Sequence, residues 1–576
     1  MVALRAPDRG PLRALWSTIT RRASTRLVER RTNSIARLRL PDRNDRSRPE
    51  APKWTAGTRA EIPVSTPDTN DAPAESEAEE VNSSLLLLRF SGDLTTKANA
   101  TRRRMTSRLV ENLRASLRAS GRGGRVLRDR NRLFVALDAI TGSEPTDEAM
   151  ATRLARVFGV QSVSVTHAVG WSSLDEIVEA GEAFGTPHVR DRRFAVRARR
   201  IGDRNEVPIR SGEIENELGE ALRPIASRVD LSNPETTVFV EVGPDRAYFF
   251  VASERGAGGL PLGTEGRAVS LLSGGFDSPV ASWRLLRRGI ALDYVFCNLG
   301  GRQHELETLT IAKRIADRWQ SGTRPRFHAI DFDPVSREIQ AKVRTRYWQV
   351  ILKRLMLRAA EAVAENWDAG AIVTGEAIGQ VSSQTLQNLS VISDGAILPI
   401  LRPLIGNNKN EIIEESKIVG THDLSAKVGE YCAIVPSKPA THAKLDDILR
   451  EESQLDPSVL TEAIESRTHF NLADVDLDAW GAEDLCTREI GPKDIVIDLR
   501  SKAAYATWHY PDALFLDFPN ALRAYGAFDS DQPYVLYCEF GLKSAHLADL
   551  MRRAGLKARH ISGGLREIRR ISEGNP

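Results

Sequence analysis

The 576-residue chain sets 80 Lys and Arg against 77 Asp and Glu, a formal net charge of +3, so bulk charge announces neither a nucleic-acid coat nor an acidic scaffold. Four cysteines in this length exclude a disulfide-stapled secreted fold and point to a reducing, cytoplasmic setting. No apolar run reaches the roughly eighteen residues of a membrane span, and the start lacks the apolar stretch of a secretory signal. The length is sufficient for three or four domains.

Residues 1–83 read as a tail. Arg21, Arg22, Arg26, Arg30, Arg31, Arg37 and Arg39 make the start basic, and the stretch from Ala51 to Asn82 is rich in Pro, Glu and Ser with little to bury. An organelle transit peptide is disfavoured by Asp8, Glu29 and Asp42. Order is expected from Leu85–Phe90, a buried strand, followed by a basic helix carrying Arg102, Arg103, Arg104 and Arg108, then a strand at 132–137. Helices at 148–158, 172–183 and 211–225 alternate with strands near 162–168, 193–200, 236–242 and 246–251, an α+β pattern. From Arg267 strands at 268–272, 291–297, 326–331 and 370–374 alternate with helices at 278–288, 303–318 and 336–366, as in a doubly wound parallel sheet. A charged helical region (444–466) leads to a last small α/β unit near Gly491.

The strongest local signal is residues 271–281. An apolar strand containing Val269, Leu271 and Leu272 runs into Ser273-Gly274-Gly275-Phe276-Asp277-Ser278 and then a helix. Such a strand–turn–helix aims backbone N–H groups and a helix's positive end at one place, which suits phosphate. It lacks the Gly-Lys-Ser/Thr ending of a P-loop and resembles the Ser-Gly-Gly-x-Asp-Ser signature of the PP-loop pyrophosphatases, which split ATP to AMP and pyrophosphate. A second strand-to-loop stretch, Ala369–Thr385, is rich in Gly and Gln. Ligands lie beyond the carboxyl ends of strands in open parallel sheets, so both loops should face one nucleotide, with Gln380 and Gln384 able to bond a base edge or ribose. Lys353, on a long basic helix, could reach a phosphate, although an exposed helix lysine is the default reading of such a position.

Cys538 closes an apolar strand, and Glu539-Phe540-Gly541-Leu542-Lys543-Ser544 leads into a helix. A cysteine there sits among backbone N–H groups and a helix's positive end, which stabilise an anionic sulfur. With Asp498-Leu499-Arg500 and His509-Tyr510-Pro511-Asp512-Ala513 upstream, the region resembles a rhodanese domain, whose cysteine carries a persulfide. Cys432, in Gly429–Pro436, becomes a candidate resolving thiol beside such a carrier. Cys297 and Cys486 carry no motif of their own.

ATP adenylation and persulfide sulfur on one chain together resemble the ThiI family of tRNA 4-thiouridine synthetases in its long form, over about residues 84–576. The most specific parts are Leu271–Ala281, Thr374–Thr385, Arg402-Pro403-Leu404-Ile405-Gly406 with Lys409, Tyr431-Cys432 and Tyr537–Ser544. The resemblance implies a multidomain α/β and α+β protein: tail 1–83, ferredoxin-like domain 84–146, THUMP domain 147–252, doubly wound PP-loop ATP pyrophosphatase domain 265–445, linker 446–490 and rhodanese α/β domain 491–576. It implies that Leu271, Leu272, Lys353, Gly375 and Gln384 contact ATP, with Ser273, Gly274, Gly275 and Ser278 forming the loop. Asp277 would serve adenylation, with Lys409 a weaker candidate for that step or for RNA. Cys538 would carry the persulfide, with Cys432 as its disulfide partner. Arg102, Arg103, Arg104 and Arg108 would meet tRNA phosphates, which position RNA without reading sequence. Mg2+ would enter with ATP, and no metal-ligand set is expected. A cysteine desulfurase would supply sulfur, the thiamine sulfur-carrier protein is a further implied partner, no membrane is involved, and a homodimer is compatible with the family. Where the family often carries an arginine soon after the cysteine, this chain has Phe540 and a cation only at Lys543. Two rival classes are a PP-loop amidotransferase, which needs a glutaminase-like ammonia source that the sequence lacks, and an RNA-binding protein with a degenerate nucleotide loop.

Overall fold

Three sheets, each built where the sequence alternates apolar strands with amphipathic helices, carry the chain. The computed structural model describes residues 84–129, 132–428, 438–477 and 485–573, all within one compact unit. The basic tail and Cys432 lie outside the described residues.

The first region runs β1 (Leu85–Phe90), α1 (Asn99–Arg118), β2 (Gly124–Asp129), β3 (Arg132–Leu137), α2 (Asp147–Ala155) and β4 (Val160–Gly170). It continues with α3 (Leu174–Val189), β5 (Arg193–Arg200), α4 (Ser211–Leu222), β6 (Arg228–Val229), β7 (Thr236–Val242), β8 (Arg246–Phe250) and β9 (Glu254–Arg255). These strands form one sheet in the order β2-β3-β1-β4-β8-β7-β5-β6, with β9 against β4. At 11 residues, β4 is long enough to pair with β1 along its first part and with β8 at its end. The sheet therefore runs on across the boundary expected at 146/147, although each half keeps its own core. Leu86, Leu109, Met150 and Val163 fill one, and Ile177, Phe194, Leu218 and Phe249 the other.

The second sheet is built by β10 (Arg267–Leu271), α5 (Asp277–Arg287), β11 (Ala291–Asn298), α6 (Gly301–Trp319), β12 (Arg326–Asp331), α7 (Asp333–Lys342) and α8 (Trp348–Asn366). It is completed by β13 (Ile372–Val373), β14 (Ile400–Leu401), α9 (Lys409–Val419), α10 (Leu445–Glu452), α11 (Pro457–Glu465) and β15 (Thr468–Asn471). The order is β14-β13-β10-β11-β12-β15, parallel except for the last edge strand. Apolar side chains leave both faces, as a sheet covered on both sides requires. Val269 and Val295 pack on Val335, Ile339 and Ile351, whereas Tyr294 and Phe296 pack on Val280, Leu309 and Ile412.

Two expectations fail here. The single helix expected over 336–366 is two, α7 and α8, because Val343 and Arg344 turn extended. The Arg344 backbone N–H donates to the Glu451 carboxylate at 2.8 Å, a contact across 107 residues that no local pattern encodes. The stretch expected as a linker, 446–490, is also structural over much of its length. Ile448 and Ala463 are buried in the sheet's core, and β15 pairs with β12 in register from Arg326↔Asn471 to Ala329↔Thr468.

The third sheet is wholly parallel, in the order β16 (Cys486–Thr487), β20 (Lys557–Ile561), β19 (Pro533–Tyr537), β17 (Ile495–Asp498), β18 (Leu514–Phe515). It takes in Cys486, ahead of the start expected at 491. Helices α12 (Leu542–Arg553) and α13 (Gly564–Ser572) follow β19 and β20. α12 docks on α6 so closely that a Cβ on Gly301 would lie 2.9 Å from the His546 ring.

Candidate functional site

β10 and β13 are neighbours, Val269 beside Ile372 and Ser270 beside Val373, so the loops beyond their carboxyl ends meet. They meet at the start of α5. A Cβ on Gly375 would stand 2.7 Å from the Ser278 amide nitrogen, which explains the glycine as a close-approach position. The Ser273–Gly275 turn is pinned by the Ser273 N–H donating to Ser278 Oγ at 2.8 Å. A Cβ on Gly274 would collide with Val428 at 2.3 Å, so the turn is roofed by the segment that follows helix 422–425.

Asp277 opens α5 at its positive end. Its carboxylate accepts from Lys409 Nζ at 2.9 and 3.1 Å and from Gln380 Nε2 at 2.9 Å. Lys409 was weighed above for RNA as well as for adenylation, and the structure sets its ammonium on the loop aspartate. Leu272 is buried, and Gln384, 8 % exposed, keeps its Oε1 without a hydrogen-bond partner among the described residues. An amide carbonyl buried in this way costs free energy unless it finds a donor, and a ribose hydroxyl or base N–H is a donor of the needed kind.

Lys353 reaches the site through a residue that sequence reasoning missed. Glu376 is 8 % exposed; its Oε1 accepts from Lys353 Nζ at 3.0 Å and its Oε2 from Arg402 Nε at 2.8 Å. Burial alone would raise this carboxyl, but the Lys353 and Arg402 cations outweigh it and hold it below the ordinary glutamate range. One anion thus fixes two cations beside the loop. The available signal was a carboxylate directly after Gly375 in a stretch otherwise chosen for its Gly and Gln.

In the third sheet Cys538 is 4 % exposed just beyond β19. The Gly541 N–H donates to its Sγ at 3.2 Å, and Ser544 Oγ stands 3.6 Å away. A Cβ on Gly564 would lie 2.5 Å from the Cys538 carbonyl oxygen, so the turn after β20 backs the loop. Upstream, the Tyr537 hydroxyl donates to Asp498 Oδ2 at 2.6 Å, and Asp498 holds Arg500 at 2.7 Å. Burial, then the Asp498 contact, pushes the Tyr537 phenol far up, so it stays a hydrogen-bond donor. Lys543, the expected loop cation, instead lies 5.8 Å from the Phe518 ring. The guanidinium facing the loop is that of Arg500, 3.8 Å from Glu539.

The four arginines of α1 divide. Arg103 and Arg104 are exposed, and Arg102 bonds Asn99 at 3.1 Å on the surface. Arg108 differs from the expectation: it donates to the Leu262 and Gly322 carbonyls at 3.0 and 2.9 Å, clamping the first region to the second sheet. Its remaining nitrogen pairs with Glu111 at 3.0 Å on the surface. Among the described residues no group of three or more His, Cys, Asp or Glu could hold a metal ion, and no helix is long and apolar enough to cross a membrane.

A family model described as "Thiamine biosynthesis protein (ThiI)" matches residues 263–456, and a ThiI ferredoxin-like domain matches 85–164. A THUMP domain matches 172–252 and a rhodanese-like domain 483–570. A tRNA sulfurtransferase of Desulfurococcus amylolyticus is 37 % identical over 497 residues, covering 84 % of this chain and 98 % of that one. One of Pyrobaculum aerophilum is 34 % identical over 470 residues, covering 81 % and 94 %. A crystal structure of a 4-thiouridine synthetase–RNA complex with bound ATP superposes with a TM-score of 0.59 at 30 % identity, covering 67 % of this chain and 99 % of that one.

Proposed function

The chain belongs to the ThiI family of tRNA sulfurtransferases, and from that membership we propose that it converts the uridine at position eight of tRNA to 4-thiouridine in two steps, adenylation and sulfur transfer. ATP, carried in with Mg2+, lies over the Ser273–Ser278 turn against Leu271, Leu272, Gly375, Gln384 and Lys353. The uridine O4 attacks the α-phosphate, pyrophosphate leaves, and the oxygen becomes a good leaving group. A cysteine desulfurase loads Cys538 with sulfane sulfur, which replaces that oxygen; Cys432 then closes a disulfide with Cys538 that a reductant opens. The THUMP region and the exposed Arg103 and Arg104 hold the tRNA by its phosphates. The same persulfide is suited to feeding the thiamine sulfur-carrier protein. A cytoplasmic setting follows from a mechanism that needs a reductant.

The observation that carries this reading is the presence on one chain of two preorganised sites. At the first, α5 starts at an aspartate held by Lys409 and Gln380; at the second, an amide and a hydroxyl surround the Cys538 sulfur. An amidotransferase leaves the second unused, and a degenerate RNA binder leaves both unused. Mass spectrometry of tRNA nucleosides from a deletion strain is the deciding test. Loss of 4-thiouridine, restored by the intact gene, is expected; unchanged 4-thiouridine would remove the proposal.

Two further outcomes follow. Deleting residues 1–83 should leave tRNA binding and thiolation within about twofold, because the matched domains begin at residue 85. A loss of affinity of about tenfold or more at physiological salt would instead assign its arginines to phosphate binding. Glu376→Gln should cost about 3 kcal/mol of stability, since it leaves two cations around a neutral amide, and should raise the KM for ATP by freeing Lys353. The pH sign is definite. The folded carboxyl sits below its unfolded value of about 4.3, so its stabilisation is complete above that value and is lost as pH falls through the folded one. Urea midpoints measured down the acid range should decline in the wild type, and that component should be missing in Glu376→Gln.

A further inference from the structure

Between the third sheet and the segment that roofs the Gly274 turn lies a cleft of about 1100 Å³. Leu424 and Lys427–Val428 form one wall, and Val428 is the residue against which Gly274 packs. Glu539–Gly541 of the sulfur loop forms the facing wall with the Ser562–Gly563 turn. Gly541, whose amide holds the Cys538 sulfur, therefore opens on the same space as the roof of the nucleotide loop. Helix α6 closes the cleft with Gln303, Leu306, Glu307 and Thr310.

Glu307 is the group there whose chemistry is unaccounted for. Its Oε1 accepts from Gln303 Nε2 at 3.0 Å, while its Oε2 is shut off from water and has no hydrogen-bond partner among the described residues. A carboxylate oxygen in that position is costly when charged, and what opposes that cost is the Gln303 hydrogen bond to its other oxygen. Burial lifts the carboxyl to about 7. The charged and titratable groups that share the cleft are Lys427 from the roof and Glu539, His560, Arg566, Arg569 and Arg570 from the third sheet and α13, with Glu573 at the rim.

We propose that Glu307 is the proton acceptor for sulfur transfer in this cleft, taking the proton of the Cys538 persulfide as its outer sulfur attacks the adenylated nucleobase. This rests on the adenylation-and-persulfide reading above. In the step, the electron pair of the S–H bond becomes the new S–C bond and the proton passes to the Glu307 carboxylate. The C–O bond to the adenylate breaks, and AMP leaves with that pair. No oxidant or reductant enters. A persulfide carries its reactive sulfur about 2 Å beyond Sγ, on a loop whose Glu539, Phe540 and Gly541 line the cleft. An acid poised near neutrality both takes the proton and releases it again at working pH.

The test uses the full-length enzyme, tRNA, ATP and a sulfane donor, with pyrophosphate release, persulfide loading on Cys538 and single-turnover 4-thiouridine formation read separately. Glu307→Gln should load sulfur and release pyrophosphate at wild-type rates, because neither step uses the carboxyl. Its single-turnover transfer should fall by about 100-fold, the usual weight of a positioned base. The wild-type rate should rise with pH through about 7, and that limb should vanish in Glu307→Gln and persist in Glu307→Asp. Transfer by Glu307→Gln within about threefold of wild type would overturn the assignment, on the same scale of effect for a lost base. So would a pH limb that survives the change, or a parallel loss of pyrophosphate release that marks Glu307 as structural. Wild-type enzyme that releases no pyrophosphate with tRNA would sink the adenylation reading itself, whatever the variants do.

Discussion

Asp277→Ala is expected to abolish tRNA-dependent pyrophosphate release while the protein stays folded. The carboxylate lies in the first turn of α5, in a half-buried turn outside the apolar cores, and its side chain retains 22 % exposure. Losing an ion pair of that kind costs about 0–1 kcal/mol, and losing an acidic group from a helix's first turn about 0.3–1 kcal/mol more. The effect on chemistry is of another order. Asp277 is the anion on which Lys409 and Gln380 converge, at a point where the Ser273–Ser278 turn and the Gly375 loop touch. Without it Lys409 and Gln380 lose the anion that fixes both of them, and the proposed adenylation site loses its acidic group. A loss of about a thousandfold or more in rate corresponds to about 4 kcal/mol, well above the stability cost, so the two effects separate cleanly. Pyrophosphate release should drop to background while the urea midpoint moves little. Release near the wild-type rate would remove Asp277 from the mechanism.

How much of this was legible in the sequence depended on how local each cause is. The strands at 85–90, 132–137, 193–200, 236–242 and 326–331 end where the sequence reading put them, because each carries a short apolar core or an apolar–polar alternation between polar or turn residues. The Cys538 site was legible for the same reason: thiol, Gly541, Ser544 and the start of α12 lie within one turn of chain. The break between α7 and α8 was not. Val335 and Ile339 on one side and Val350 and Ile351 on the other keep helical spacing, and no Gly or Pro marks the gap. The break answers to Glu451, far along the chain. Glu376 escaped likewise, since its meaning lies in two cations, 23 residues before it and 26 after it. Arg108 adds a contact of the same kind, since its bonds to the Leu262 and Gly322 carbonyls span 154 and 214 residues. The edge strand β15 gave no signal above its charged surroundings, as a four-residue strand with two exposed positions seldom does.

Cys538→Ser and Cys432→Ser should stop the reaction at successive points. A serine hydroxyl forms no persulfide, so Cys538→Ser should take no sulfur from a desulfurase, although adenylation at the Ser273–Ser278 turn continues. The cradle makes the loss specific to sulfur. The Gly541 amide and the Ser544 hydroxyl are set around Sγ, and in the variant they would bind a smaller, neutral oxygen with the fold of the loop retained. Cys432→Ser should load Cys538 normally and then fail to turn over, because breaking the sulfur–sulfur bond of the intermediate needs a second thiol as nucleophile. Wild-type enzyme assayed without reductant should therefore halt after about one turnover and yield a peptide in which Cys432 and Cys538 are cross-linked. Forming that bond demands a Cα separation of about 4.4–6.8 Å between the two cysteines at that stage of the cycle. Full multiple-turnover activity in Cys432→Ser, with no cross-linked peptide from the wild type, would show that another thiol or an external one resolves the intermediate, and the pairing would be abandoned.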